Sequence, residues 1–235
     1  MFSGKKIMVV VAHPDDELLG LGATMNKLIK NHDVTTHVVI LGEGITSRSG
    51  TRDTQLWEKE LKKHQENIRE AQKYIGYHSV NTYQFPDNRF DSVALLDIIK
   101  VVEKEKEDFN PDIIFTHNGS DLNIDHRLTF EAVITATRPM ENERVKSIIT
   151  FETPSATEWQ ASTNPRPFVP NMYVEVNEDN VEAKLSAMKQ YEFEIRDFPH
   201  PRSVEALRIK MKAGGIEAGC NYAEAFHIVR LIKKI

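Results

Sequence analysis

Ala12-His13-Pro14-Asp15-Asp16-Glu17 packs an imidazole and three carboxylates into one short stretch, directly behind the apolar run Ile7-Met8-Val9-Val10-Val11. Carboxylates at the end of a core strand are expensive to desolvate without a partner. A divalent cation is the simplest partner. A second polar cluster, Asn118-Gly119-Ser120-Asp121-Leu122-Asn123-Ile124-Asp125-His126, follows a strand-like run that ends in His117. His13 and Asp16, joined by His126, form a His/Asp/His set. Three protein ligands with a fourth position open is the arrangement of catalytic zinc, which lowers the pKa of water to about 7. The same donors accept iron, cobalt and manganese.

The elements that must position these groups follow from apolar periodicity. The opening run reads as a buried strand and Leu18 to Lys30 as a helix. Val34 to Leu41 is a second strand, ending at Gly42-Glu43-Gly44, and Gln55 to Ile75 is a long charged helix with a solvated face. Val80 to Phe85 is a third strand closed by Pro86-Asp87-Asn88, followed by a helix over Val93 to Lys106. Pro111 to His117 makes a fourth strand, and Arg127 to Arg138 another helix. This alternation predicts βαβ units and a largely parallel sheet. The strand ends at His13 to Glu17, Glu43, Asp87-Asn88 and His117 then converge on one crevice beyond the carboxyl edge, where such sheets bind ligands.

The last third changes character. Ile148 to Glu152 and Met172 to Val176 read as strands, separated by a loop holding Pro154, Pro165, Pro167 and Pro170. Val181 to Tyr191 is helical, Ser203 caps a helix running to about Ala213, and Phe226 to Ile232 is strand-like or helical. There is no internal repeat or low-complexity linker, so one domain over residues 1–235 is expected.

With 40% hydrophobic and 28% charged residues the composition is that of a soluble globular protein. The net charge of −5 without a basic cluster argues against nucleic acid. No apolar run approaches the ~20 residues of a membrane span. Lys5-Lys6 and the short apolar run resemble the start of a signal peptide, but the acidic residues that follow exclude that reading. The lone Cys220 fits a reducing, cytoplasmic compartment and is a poor candidate for a catalytic thiol. The sequence does not read the oligomeric state, and a homo-oligomer is compatible with it.

Ala-His-Pro-Asp-Asp-Glu after an apolar strand, with Asp121-Leu122-Asn123-Ile124-Asp125-His126-Arg127 downstream, resembles the LmbE/PIG-L family of zinc-dependent N-deacetylases. Pro86-Asp87-Asn88-Arg89-Phe90, Pro199-His200-Pro201-Arg202-Ser203 and Ala223-Glu224-Ala225-Phe226 extend the likeness over nearly the whole chain. The resemblance implies an α/β, Rossmann-like three-layer sandwich with its metal site at the carboxyl ends of the strands. It implies Zn2+ on His13, Asp16 and His126, and Asp15 as the general base toward water. Asp125 would orient an imidazole, besides the N-cap role open to it. The substrate implied is an N-acetylated amino sugar or its conjugate, with Asp87 at a sugar hydroxyl beside Asn88. Arg48, in a loop with Arg52, and Arg202 are candidates for substrate contact, each weighed against a merely packed or solvated role.

The chain departs from the family at Asn123, where many members carry histidine. Asn donates a hydrogen bond but supplies no proton at neutral pH. Asp15 would then serve both steps, or another imidazole would enter. His117 is the nearest, though it reads equally as a satisfied strand-end imidazole, with His200 and His227 less well placed. His32, His37, His64 and His78 read as structural or solvated. Within the same chemistry an N-acyl group on a non-sugar amine stays open, and two other classes stand beside the deacetylase: a nucleotide-binding protein resting on Gly20-x-Gly22, which lacks the full fingerprint, and a metal or sugar binder without turnover.

Overall fold

Strand β1 (Lys6–Val11) is apolar on both faces because both faces are covered. Ile7, Val9 and Val11 point into one core layer with Leu18, Met25, Ile68, Leu185 and Met211. Met8, Val10 and Ala12 point into the other with Ile98, Val102, Ala132 and Val133. The computed structural model describes residues 1–233. It contains a seven-stranded sheet in the order β3-β2-β1-β4-β5-β7-β6. The strands are β2 (Thr35–Gly42), β3 (Ser79–Phe85), β4 (Ile113–His117), β5 (Ser147–Phe151), β6 (Met172–Glu175) and β7 (Ala223–Leu231). β1 pairs in parallel with β2 and β4, so chain order reverses there and leaves a crevice beyond their carboxyl ends. β7 alone runs against the direction of the other six strands, antiparallel to both β5 and β6, settling the closing segment as a strand.

One face is covered by α1 (Asp16–Leu19), α2 (Gly22–Asn31), α3 (Glu58–Ile75), α6 (Glu178–Met188) and α7 (Val204–Ala218). The other is covered by α4 (Leu95–Phe109) and α5 (Ile124–Ala136). Ser203 caps α7 as expected, accepting from the Ala206 N–H at 3.0 Å. No helix among the described residues is long and apolar enough to cross a membrane.

The helix expected over Leu18 to Lys30 is two helices, broken around Gly20 and Leu21. Gly20 lies on the ring of Phe151, where a Cβ would come within 2.1 Å of Cδ2. The amino end of α2 is closed from the far end of the chain: Glu224 accepts from the Ala23 and Thr24 N–H groups at 3.3 and 2.7 Å. Lys184 pairs with that carboxylate at 2.7 Å and donates to the Leu19 carbonyl at 2.8 Å. The Gly20-x-Gly22 pair thus serves packing, and a carboxylate stands where a nucleotide phosphate would need those N–H groups. α5 begins three residues before the expected Arg127 because Asn123, rather than Asp125, is its N-cap, accepting from the Asp125 N–H at 2.8 Å.

Candidate active site

Between β1 and α1 the chain turns through Asp15, whose φ of 104° lies in the left-handed region. Holding a non-glycine residue there costs on the order of 1–3 kcal/mol. Glu17 braces it, its Oε2 accepting from the Asp15 N–H at 3.1 Å and its Oε1 from the Tyr191 hydroxyl at 2.6 Å. Tyr77 donates to the Glu17 carbonyl at 3.0 Å. Burial lifts the Glu17 carboxyl to about 7. The third carboxylate of the motif therefore holds the turn that presents the other two.

Asp16 is the focus of the imidazoles. Its Oδ2 accepts from the His13 N–H at 2.8 Å and lies 3.5 Å from His13 Nδ1, 3.4 Å from His126 Nε2 and 3.3 Å from His117 Nε2. A carboxylate stands behind each outer imidazole. Asp125 Oδ2 is 2.9 Å from His13 Nε2, and Asp121 Oδ1 is 3.1 Å from His126 Nδ1. Both carboxylates are themselves anchored, Asp125 by the Phe90 N–H and Asp121 by the Asn123 N–H, each at 2.9 Å. A carboxylate on the distal nitrogen selects the tautomer whose other nitrogen is free to ligate. It leaves His13 Nδ1 and His126 Nε2 facing Asp16.

Among the described residues, Asp16 Oδ1 and both ring nitrogens of His126 are buried with no hydrogen-bond partner of good geometry. Orphaned buried groups are costly. Two imidazole nitrogens and a carboxylate oxygen are the donor set of a catalytic zinc-type site. His13, Asp16 and His126 bring their ligand atoms within 4.8 Å of one another, as do His13, Asp87 and Asp125. The first set fits a cation better, because it holds the partnerless Asp16 Oδ1 and His126 nitrogens, whereas the Asp125 and Asp87 carboxylates have no partnerless oxygen. Burial opposes charge on both outer imidazoles but is outweighed. Asp16 and Asp121 lift His126 to about 9, and Asp125, Asp16 and Asp87 hold His13 well above its ordinary value. A metal must therefore displace protons here.

His117 does not reach the cavity beside these ligands. It is fully buried and stacked on His126, with ring centroids 3.9 Å apart and planes 6° apart. Its Nε2 accepts the Ala12 N–H at 3.0 Å, so Nδ1 carries the proton toward Thr153 Oγ1 at 3.2 Å. Burial and the His126 charge push it down to about 4. Of the two readings open to His117, this geometry favours the satisfied strand-end imidazole, which backs the His126 ring from behind.

The cavity, about 90 Å³, opens beside His13 and Asp15. It brings together Arg48, Asp87, Asn88, Asn123 and Arg202, along with Glu194 and His64, which sequence reasoning missed. Arg202 donates to Asp15 Oδ2 at 3.1 Å, Glu194 Oε2 at 3.0 Å and Ser155 Oγ at 3.0 Å. Burial raises the Asp15 carboxyl well above the usual range while Arg202 pulls the other way. Arg48 reaches Glu194 Oε1 at 2.6 Å and the Phe193 carbonyl at 2.7 Å. Glu194 thus ties two guanidiniums together, and no local sequence pattern announces it. Asn123, engaged as a cap, also donates to Asn88 Oδ1 at 2.8 Å. Arg52 is a clamp on Glu43, with both bonds at 2.8 Å, and holds the loop rather than a ligand. His64 had a signal: it shares an inward stripe of α3 with Ile68, Ala71 and Ile75.

The family model described as GlcNAc-PI de-N-acetylase, PIG-L, matches residues 8–137, which is more than half of the chain. The uncharacterized deacetylase YaiS of Escherichia coli (strain K12) is 29% identical over 192 residues, covering 80% of this chain and 90% of YaiS. The fold is also that of N,N'-diacetylchitobiose deacetylase from Pyrococcus horikoshii. That structure has a TM-score of 0.74 at 21% identity, covering 96% of this chain and 84% of the other. GalB, the 4-carboxy-2-hydroxymuconate hydratase of Pseudomonas putida KT2440, has a TM-score of 0.71 at 18% identity, covering 98% and 99%. The last two show the fold alone, and a hydratase among them means that the reaction must be argued from the site. With its two motifs assembled at one strand end and the family model matched across both, this chain belongs to the PIG-L (LmbE-like) family of deacetylases.

Proposed function

We propose that this protein is a zinc-dependent hydrolase that removes an acetyl group from the nitrogen of an amino sugar or its conjugate. The carrying observation is that Asp15, steadied by Arg202, faces the cavity directly beside the convergent His13, Asp16 and His126. A cation held by those three residues would polarise the amide carbonyl and lower the pKa of water. The remaining chemistry belongs to the chain. Asp15 accepts a proton from the attacking water, and burial raises its carboxyl above the usual carboxylate range. As the C–N bond breaks, the same carboxyl returns that proton to the departing nitrogen, leaving acetate and free amine. No histidine stands at position 123 to share the task, and Asn123 is held as a helix cap.

Asp125 and Asp121 keep His13 and His126 in their ligating tautomers, and His117 backs the His126 ring by stacking on it. Arg48, Asp87 and Asn88 form the wall on which the sugar portion would lie. The family's description supports an N-acetylated amino sugar as substrate. We read the chain as one catalytic domain acting in the cytoplasm, in keeping with its single cysteine.

Acetate release from free and conjugated N-acetyl amino sugars, by metal-loaded and chelated protein side by side, tests the reading. Release should require metal. Asp15→Asn should lower turnover by about 10²- to 10⁴-fold with metal content unchanged. Full turnover in that variant would remove Asp15 from its role, and metal-independent release would remove the whole mechanism.

A further inference from the structure

Helix α3 sends its charged residues to solvent and turns His64, Asn67, Ile68, Ala71 and Ile75 inward. His64 is 1% exposed, yet neither of its ring nitrogens has a hydrogen-bond partner among the described residues. The ring rests on an aromatic floor, with centroids 5.7 Å from Tyr191 and 6.2 Å from Phe193. Folding does not explain an imidazole there. Leaving a buried polar group unpaired costs about 1–3 kcal/mol, and an apolar ring of the same shape would avoid it.

The ring instead forms part of the wall of the cavity that His13 and Asp15 enter. Gly44, at φ +68°, packs directly beside the ring. A Cβ on it would stand 3.2 Å from His64 Nε2 and 3.3 Å from Pro14 Cδ. The neighbouring polar groups of the wall are already engaged. Arg48 is held by Glu194 and the Phe193 carbonyl, Asn123 by Asp125 and Asn88, and Arg202 by Asp15 and Glu194. His64 differs from them in having its donor and acceptor both free.

We propose that His64 is a specificity-determining residue whose imidazole hydrogen-bonds a hydroxyl on the amine portion of the substrate. This deepens the N-acyl reading and rests on it. The chemistry of the partner follows from the chemistry of the ring. A neutral imidazole offers one donor and one acceptor, as a hydroxyl does. A cationic substrate group would sit badly beside Arg48, and an anionic one would pair with the arginines first. Burial, with Arg48 nearby, pushes the ring down to about 4, so it contributes a hydrogen bond and not a proton.

His64→Phe preserves the packing on Tyr191 and Phe193 and removes only the polar function. On an N-acetyl amino sugar, kcat/KM should fall about 10- to 100-fold, mainly through KM, with metal content intact and Tm equal or higher. The second readout is discrimination. Wild-type protein should prefer the sugar over one of its monodeoxy analogues, and His64→Phe should lose that preference. A variant that keeps the full preference, or loses activity only in step with folding, overturns the proposal. Should wild-type protein hydrolyse no N-acyl substrate, the parent reading fails by itself, and the contact is judged without turnover. Adding glucosamine to the metal-loaded protein should then shift the ¹H–¹³C resonance of the His64 ring, and an unmoved resonance overturns it.

Discussion

Two buried imidazole–carboxylate clusters share this sheet, and they are built to opposite standards. In the amino-terminal half of β2, His37 places Nδ1 2.7 Å from Ser79 Oγ and Nε2 2.8 Å from Glu105 Oε2. Glu105 also accepts from Asn81 at 3.1 and 3.0 Å and from the Tyr83 hydroxyl. Against the burial that would raise it, these donors hold the Glu105 carboxyl below its ordinary value. At the carboxyl end of β1 the same residue types leave Asp16 Oδ1 and the nitrogens of His126 orphaned, beside a backbone turned to φ 104° at Asp15. Both clusters mix acids with imidazoles. What separates a stabilising network from a site is whether the hydrogen-bond inventory closes.

The sharpest way to break this comparison is to remove the centre of the open cluster. Asp16→Ala should reduce bound metal to near zero and acetate release by about 10³-fold or more, read by elemental analysis and product assay. A variant that still binds one metal would move the site to His13, Asp87 and Asp125. Next, Asp121→Asn tests the carboxylate behind His126. Metal affinity should weaken about 10- to 100-fold in a competitive chelator titration.

The third test uses pH. In metal-free protein His126 is lifted to about 9 from an ordinary 6.5. The stabilisation this gives is complete below pH 6.5 and is lost as pH rises through about 9. A ligating His126 must be unprotonated, so metal affinity should fall by about tenfold per pH unit on going below pH 9, for each proton displaced. Thermal melts should therefore show the gap in Tm between loaded and chelated protein widening as pH rises. A constant gap would mean that the imidazole is already neutral.

The closed cluster should answer differently. Glu105→Ala strands His37, Asn81 and Tyr83, and should cost about 1–3 kcal/mol in urea unfolding while metal content and acetate release stay unchanged. Because the Glu105 carboxyl is held low, its contribution is present above pH 4.5 and is lost as pH falls further. The smallest effect expected is at the rim. Asn123→Ala removes the cap of α5 and should cost about 1 kcal/mol of stability.

Much of the candidate site was legible because its convergent side chains lie in short segments at strand ends. The apolar run of β1 could only be a covered strand, and the residues after such a strand must emerge at the sheet's carboxyl edge. Element boundaries were less legible where distant residues decide them. The backbone leaves the helix at Leu21, just after Gly20 packs on Phe151, and Glu224 caps the helix that restarts. His117 stays ambiguous in the sequence because its strand-end position gives no hint that the Ala12 N–H and Thr153 engage both its nitrogens.

By itself the sequence determined the parallel α/β frame, the His13/Asp16/His126 set with Asp15 beside it, and membership of a deacetylase family. Strand periodicity and adjacency in the chain are local properties, and they survive without coordinates. Only the tertiary structure decided that Arg202 steadies Asp15, that Glu194 joins Arg202 to Arg48, and that His64 reaches the same cavity with both nitrogens free. Those facts depend on how α3 and the segment around Glu194 pack against the carboxyl end of β1. The hydrogen-bond account that tells an orphaned group from a satisfied one closes only in three dimensions.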